Sequence, residues 1–116
     1  MRDEQDFDLQ RGPRGEIEAS GEVDEDNARI FSARLLDLAG ESKGPLFLDF
    51  SALDLLDGPA LARTVETLRG LLHGERRITL RGAPQMLAHN FYKLSLLYPE
   101  SPLTLIEPRQ DDPQGA

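Results

Sequence analysis

The chain has 116 residues, no cysteine and only 6% aromatic residues. It is sized for one domain with an aliphatic core, and disulfides, thiolate metal sites and cysteine nucleophiles are excluded. The formal net charge of −8 is concentrated at the front, with 3 basic against 10 acidic residues in 1–27 and 10 against 11 in 28–116. That balance disfavours nucleic acid as a partner, because only Arg76, Arg77 and Arg81 approach a basic cluster.

The acidic, polar start, Met1 to Asp6, is unlike a signal peptide, and no apolar run approaches the roughly 20 residues that span a bilayer. A cytoplasmic protein without direct membrane insertion is the expectation.

Phe7 and Leu9 alternate with Asp6, Asp8 and Gln10, the period-two pattern of a half-buried strand. Arg11-Gly12-Pro13-Arg14-Gly15 has hairpin composition, and Ile17, Ala19 and Val23 resume a strand interrupted by Ser20-Gly21. Asp24, Glu25, Asp26 and Asn27 are N-cap and first-turn residue types, so a helix is expected next, with Phe31, Leu35 and Leu38 on its buried face and Gly40 at its end.

Leu46 to Phe50, almost entirely apolar and led by Gly44-Pro45, reads as a central strand covered on both faces. Asp57-Gly58-Pro59 opens a second helix carrying Leu61, Val65, Leu68 and Leu72, closed by Gly74. Ile78-Thr79-Leu80 is a further strand. Gly82-Ala83-Pro84 leads into a third helix with Leu87, Phe91, Leu94 and either Leu97 or Tyr98 inward, stopped by Pro99. Leu103 to Ile106 is the last strand, and Pro108 to Ala116 reads as a disordered tail.

The order strand, strand, helix, strand, helix, strand, helix, strand predicts a single α/β domain over 1–107, with 108–116 as the tail. Its mixed β-sheet has an antiparallel N-terminal hairpin and β-α-β crossovers, with helices packed on the sheet.

No catalytic constellation emerges. The nucleophile-elbow pattern is absent, His73 and His89 lack companions, and Asp24 to Asp26 lack the glycine and distal glutamate of a calcium loop. No metal or cofactor is expected, and an enzyme would need to recruit Asp57, Asp49 or His89.

Ser20-Gly21-Glu22-Val23-Asp24, an amphipathic helix, Leu46-Phe47-Leu48-Asp49-Phe50-Ser51-Ala52-Leu53, then Leu56-Asp57-Gly58-Pro59-Ala60-Leu61 and Ile78-Thr79-Leu80-Arg81-Gly82 together resemble a STAS domain. The name covers sulfate transporter and anti-sigma factor antagonist modules, and the resemblance runs from about residue 5 to residue 107. It implies a non-enzymatic, regulatory protein-binding module. In anti-sigma factor antagonists of this family the loop before the second helix reads Asp-Ser-Ser-Gly-Leu, and a partner kinase phosphorylates the first serine. Here Asp57 matches the aspartate, Gly58 replaces the phosphoacceptor, Pro59 and Ala60 replace the next two residues, and Leu61 matches the leucine. A glycine cannot carry the charge and acceptor oxygens that phosphorylation adds, so binding is not switched at that position.

A second branch, the small STAS subunit on the ATPase of Mla-type phospholipid transporters, is also similar, through Ser20 to Asp26, Ile78 to Gly82 and Leu94 to Leu97. Its loop usually reads Asp-Thr-Gly-Gly-Leu, and the threonine is again missing. The resemblance implies a nucleotide-binding partner, either a kinase-like anti-sigma factor or a transporter ATPase. The latter would place the chain at the inner membrane periphery, and a homodimer is a further alternative.

The expected contact surface is Asp57, Gly58, Pro59, Leu61, Ala62 and Arg63 with the acidic front Asp24, Glu25 and Asp26. Leu55, Pro59 or Ala62 would supply its apolar centre. Beside these stand plainer readings: Asp57 as an N-cap, Pro59 as a first-turn proline, and Gly58 as a flexible link.

Overall fold

A computed structural model describes residues 6–109. Two strands, β1 (Phe7–Arg11) and β2 (Ile17–Val23), form the antiparallel hairpin, with Phe7 opposite Gly21 and Arg11 opposite Ile17. The chain continues through α1 (Ala28–Gly40), β3 (Leu46–Leu55), α2 (Gly58–His73), β4 (Ile78–Arg81), α3 (Gln85–Lys93) and β5 (Leu103–Ile106). The five strands lie side by side in chain order, and every neighbouring pair after the hairpin is parallel.

Because β2 to β5 are laid down in one direction, crossovers of a single hand place all three helices on one face. The packing agrees: α1 rests on β1 and β2, α2 rests on β3, and α2 lies between α1 and α3. The strand order never reverses, so the sheet lacks the crevice of a doubly wound fold.

The inward residues of the strands alternate as a half-buried sheet requires. Phe7, Leu9, Ile17, Ala19, Leu46, Leu48, Phe50, Ile78, Leu80 and Leu103 are buried. They meet Phe31 and Leu35 of α1, Val65, Leu68 and Leu72 of α2, and Leu87 and Phe91 of α3. Phe31 is the aromatic hinge of this core, edge-on to Phe7 at 5.3 Å and to Phe50 at 6.3 Å between ring centroids.

The sequence expectation that β3 is covered on both faces is corrected: Phe47 and Asp49, on the face opposite Leu46, Leu48 and Phe50, are only half-buried. That open face shields its apolar surface with a charge, the Arg81 guanidinium lying 5.2 Å from the Phe47 ring centroid.

Further corrections concern element ends. Ser20-Gly21 does not interrupt β2. Gly21 takes φ +95°, and a Cβ there would lie 2.2 Å from the Asp6 carbonyl oxygen, so glycine lets the strand pass β1 closely. Asp24 to Asp26 form a turn before α1, whose first turn contains no acidic residue, and Asn27 is its N-cap position without a capping side-chain bond. Leu38 and Leu61 are half-buried and sit at the margins of their helices' apolar faces.

The third helix ends at Lys93, six residues before Pro99, because Ser95 adopts φ +60°. Leu94 (42%) and Tyr98 (55%) are consequently exposed, while Leu97 stays partly buried. Of the expected tail, residues 110–116 lie outside the described residues, but Pro108 and Arg109 are described. The Arg109 backbone N–H donates to the Ala83 carbonyl at 3.2 Å.

At the amino-terminal ends of the parallel strands, two arginines close the fold. α1 has no basic residue in its last turn. Its terminal carbonyls instead accept from Arg11 (Nη2 to Leu38 O, 2.7 Å) and Arg76 (Nη1 to Ala39 O, 3.0 Å), and Arg76 Nε also donates to Gly44 O at 2.6 Å. Arg76 is therefore committed to the fold, and Arg81 pairs with Glu107 at 3.3 Å, so the three expected cations do not act as one patch.

Candidate functional site

Asp57 is the residue on which the opposite, carboxyl-terminal end of the sheet is organised. In extended conformation between β3 and α2, it uses one carboxylate oxygen to accept from the Ala60 N–H at 2.9 Å, the N-cap bond expected from sequence. Its other oxygen accepts from the Glu25 N–H at 3.0 Å. The loop before α1 and the start of α2, 32 residues apart, are thus held together by one side chain, and the neighbouring Leu56 N–H to Val23 O bond (2.8 Å) reinforces the junction.

Within the acidic front the three residues differ. The Asp24 carboxylate faces inward, accepting from the N–H groups of Asp26 (2.9 Å) and Asn27 (3.2 Å), while Asn27 accepts from Asp24 N and donates to Glu22 O. Glu25 and Asp26 are exposed. The acidic character offered outward is theirs; Asp24 builds the loop.

Gly58 is the first residue of α2 and is exposed. Its φ is not in the left-handed region, and a Cβ there would meet nothing within 4 Å. The reading of Gly58 as a flexible link that the turn needs is therefore corrected: neither its φ nor the space around a Cβ requires glycine there. Pro59 occupies the first turn, where a missing N–H costs nothing, and Pro59, Ala62 and Arg63 are exposed.

Beside this helix start lies an open groove of about 470 Å³ lined by Asp54, Leu55, Leu56, Asp57, Gly58, Leu61, Pro84, Met86 and Arg109. Its apolar surface comes from Leu56 (52% exposed) and Met86 (60%), with half-buried Leu55 and Leu61 beneath. The apolar centre expected from Leu55, Pro59 or Ala62 is therefore carried by Leu55 with Leu56, Leu61 and Met86, and sequence reasoning nominated neither Met86 nor the groove's cation, Arg109. Met86 left one faint signal, a large apolar residue just inside a helix start and out of phase with Leu87 and Phe91. Arg109 left none, since its surroundings read as a polar tail.

The three residues named as alternatives for a turnover, Asp57, Asp49 or His89, lie at separate places. Asp57 lies at the groove, Asp49 accepts from Ser51 N on the open sheet face (2.9 Å), and His89 is exposed on α3. Among the described residues no three His, Asp or Glu side chains are grouped to hold a metal, and no helix is long and apolar enough to cross a membrane.

A mixed sheet with all helices on one face, with an exposed apolar groove at a capped helix start, defines the class as a small α/β domain. Residues 9–97 match the family described as "Mlab, STAS domain", and the chain belongs to the STAS domain family. Domains of this family are regulatory or protein-binding modules and generally not enzymes. No curated protein matches the chain.

Proposed function

We propose that this chain is a non-enzymatic docking subunit that binds a larger nucleotide-binding protein through the groove at the start of α2, and that this binding is not switched by phosphorylation at position 58. The observation that carries the reading is the pairing of an exposed apolar groove with an exposed, hydroxyl-free Gly58 at the helix position where related modules are modified. Leu56 and Met86 are the anchors, and Glu25 and Asp26 form an acidic rim that speeds encounter with a basic surface. The Mlab description of the matching family favours the ATPase of a phospholipid transporter as partner. A kinase-like anti-sigma factor is the second reading, favoured by the retention of Asp57 and Leu61 around the vacated acceptor position.

The test uses the immobilised chain, wild type and Gly58→Glu, to capture proteins from cytoplasm and from solubilised membrane, identified by mass spectrometry. Gly58→Glu places its Cβ in open space and a negative charge at a helix N-terminus, so it is expected to fold. A transporter ATPase held by the wild type and lost with Gly58→Glu is the expected result. A kinase-like regulator with the same dependence would move the second reading to first place, and equal capture by both forms would remove the groove as the docking surface.

A further inference from the structure

We infer that Arg109 is a positioning residue for the groove, and that the segment following β5 is a strap that fixes the projecting end of β3. β3 continues to Leu55, whereas its last partner on β4 is the Asp49 to Arg81 pair. One extra residue enters β3 between the pairs Glu18 to Asp49 and Ser20 to Ala52, forming a bulge around Ser51. The floor of the groove, Asp54 to Asp57, is thus carried on a strand end that has β2 on one side and no β4 pairing on the other.

Arg109 reaches into this gap. Its guanidinium donates to the Ser51 carbonyl at 2.9 Å and to Asp54 Oδ1 at 3.3 Å, and its backbone N–H donates to Ala83 O. Three places, the bulge, the groove floor and the loop before α3, are therefore held by one residue. Gly82 completes the knot: at φ +68° it passes so close to Ser51 that a Cβ would lie 2.3 Å from Ser51 Oγ, while its N–H donates to Ile106 O.

The turn that brings Arg109 back is strained. Glu107 has φ +46° although it is not glycine and precedes Pro108, where sterics disfavour helical conformations. Strain of this kind persists only where surrounding contacts over-determine it, and the Arg109 bonds and the Arg81 to Glu107 pair are those contacts. Arg109 lies beyond the matched family segment, which ends at residue 97. Among the described residues Arg109 is also the only cation lining the groove, with its side chain 21% exposed against 59% for Asp54.

The effect of the strap on binding rests on the docking reading above. The absence of cysteine permits a direct test, with spin labels at Gly58→Cys and Met86→Cys across the groove and a control pair at Glu41→Cys and Arg77→Cys at the other end of the sheet. Arg109→Ala should at least double the width of the groove distance distribution and leave the control pair unchanged. Arg109→Lys keeps a cation but cannot fork to both acceptors, and should restore the width in part. An unchanged groove distribution, or broadening of both pairs alike, overturns the strap. In the binding arm, Arg109→Ala should weaken capture of the wild-type partner at least fivefold, and full affinity would overturn its link to docking. Capture that survives Gly58→Glu would instead count against the docking reading while leaving the label result standing.

Discussion

The two ends of the sheet use one device to different ends. At the amino-terminal ends of the parallel strands, Arg11 and Arg76 satisfy the last carbonyls of α1 and pin the loop at Gly44. At the carboxyl-terminal ends, Asp57 satisfies the start of α2 and pins the loop at Glu25, and Arg109 ties down β3. Both ends join distant loops through charged groups on backbone partners, and both expose large apolar side chains, Leu94 and Tyr98 ahead of β5 and Leu56 and Met86 at the other end, but of these only Leu56 and Met86 line the groove beside Asp57. Helix ends must be satisfied wherever they fall, so such bonds do not by themselves mark function. Apolar surface left uncovered beside them is what the docking proposal adds to that common device.

Substitutions at the two ends can break or sharpen this comparison. The largest effect is expected from Gly82→Val at the groove end, where a β-branched side chain meets both a left-handed φ and the Ser51 backbone; a loss of at least about 3 kcal/mol in urea unfolding is expected. Arg76→Ala, which removes the side-chain donor to both Ala39 O and Gly44 O, should cost about 2 to 3 kcal/mol by the same measurement and leave partner binding unchanged. A loss of binding there would show that the closed end is also a contact surface.

Asp57→Ala should cost about 1 to 2 kcal/mol and accelerate amide exchange at both Glu25 and Ala60, because one carboxylate serves both. Acceleration at Ala60 alone would mean the two loops are not coupled. Gly58→Ala should stabilise the chain by about 0.4 to 1 kcal/mol in thermal unfolding, since nothing in the folded state requires glycine there. Destabilisation would restore a conformational role for that residue.

Much of the fold was legible because each element carried its own period and punctuation. The alternation Phe7, Leu9, the cap and proline at Asp57-Pro59, and Gly74 are local signals read by local physics, and they placed eight elements in order. What sequence missed was decided between elements. α3 ends at Lys93 because Leu96 O accepts from the Ser101 hydroxyl and Ser95 turns the chain, a closure that apolar spacing alone does not reveal. β3 runs on to Leu55 because β2 pairs with it there.

The candidate site divides in the same way. Asp57, Gly58 and Leu61 were readable from their place at a helix start, and the acidic front from its composition. That Asp57 joins the two and that Arg109 reaches the groove depended on bonds across 32 residues or more, and Met86 enters the groove only through the packing of its helix, whereas the inward turn of Asp24 rests on local bonds to Asp26 and Asn27 that composition does not reveal.

The sequence by itself determined the elements, their order, the antiparallel hairpin and the missing hydroxyl at position 58, all properties of neighbouring residues. Only the tertiary structure decided which face of the sheet is covered, where the groove opens and that the C-terminal segment returns to hold it. Those outcomes depend on strand order and on long-range bonds to Glu25, Ser51 and Asp54, which no local pattern encodes.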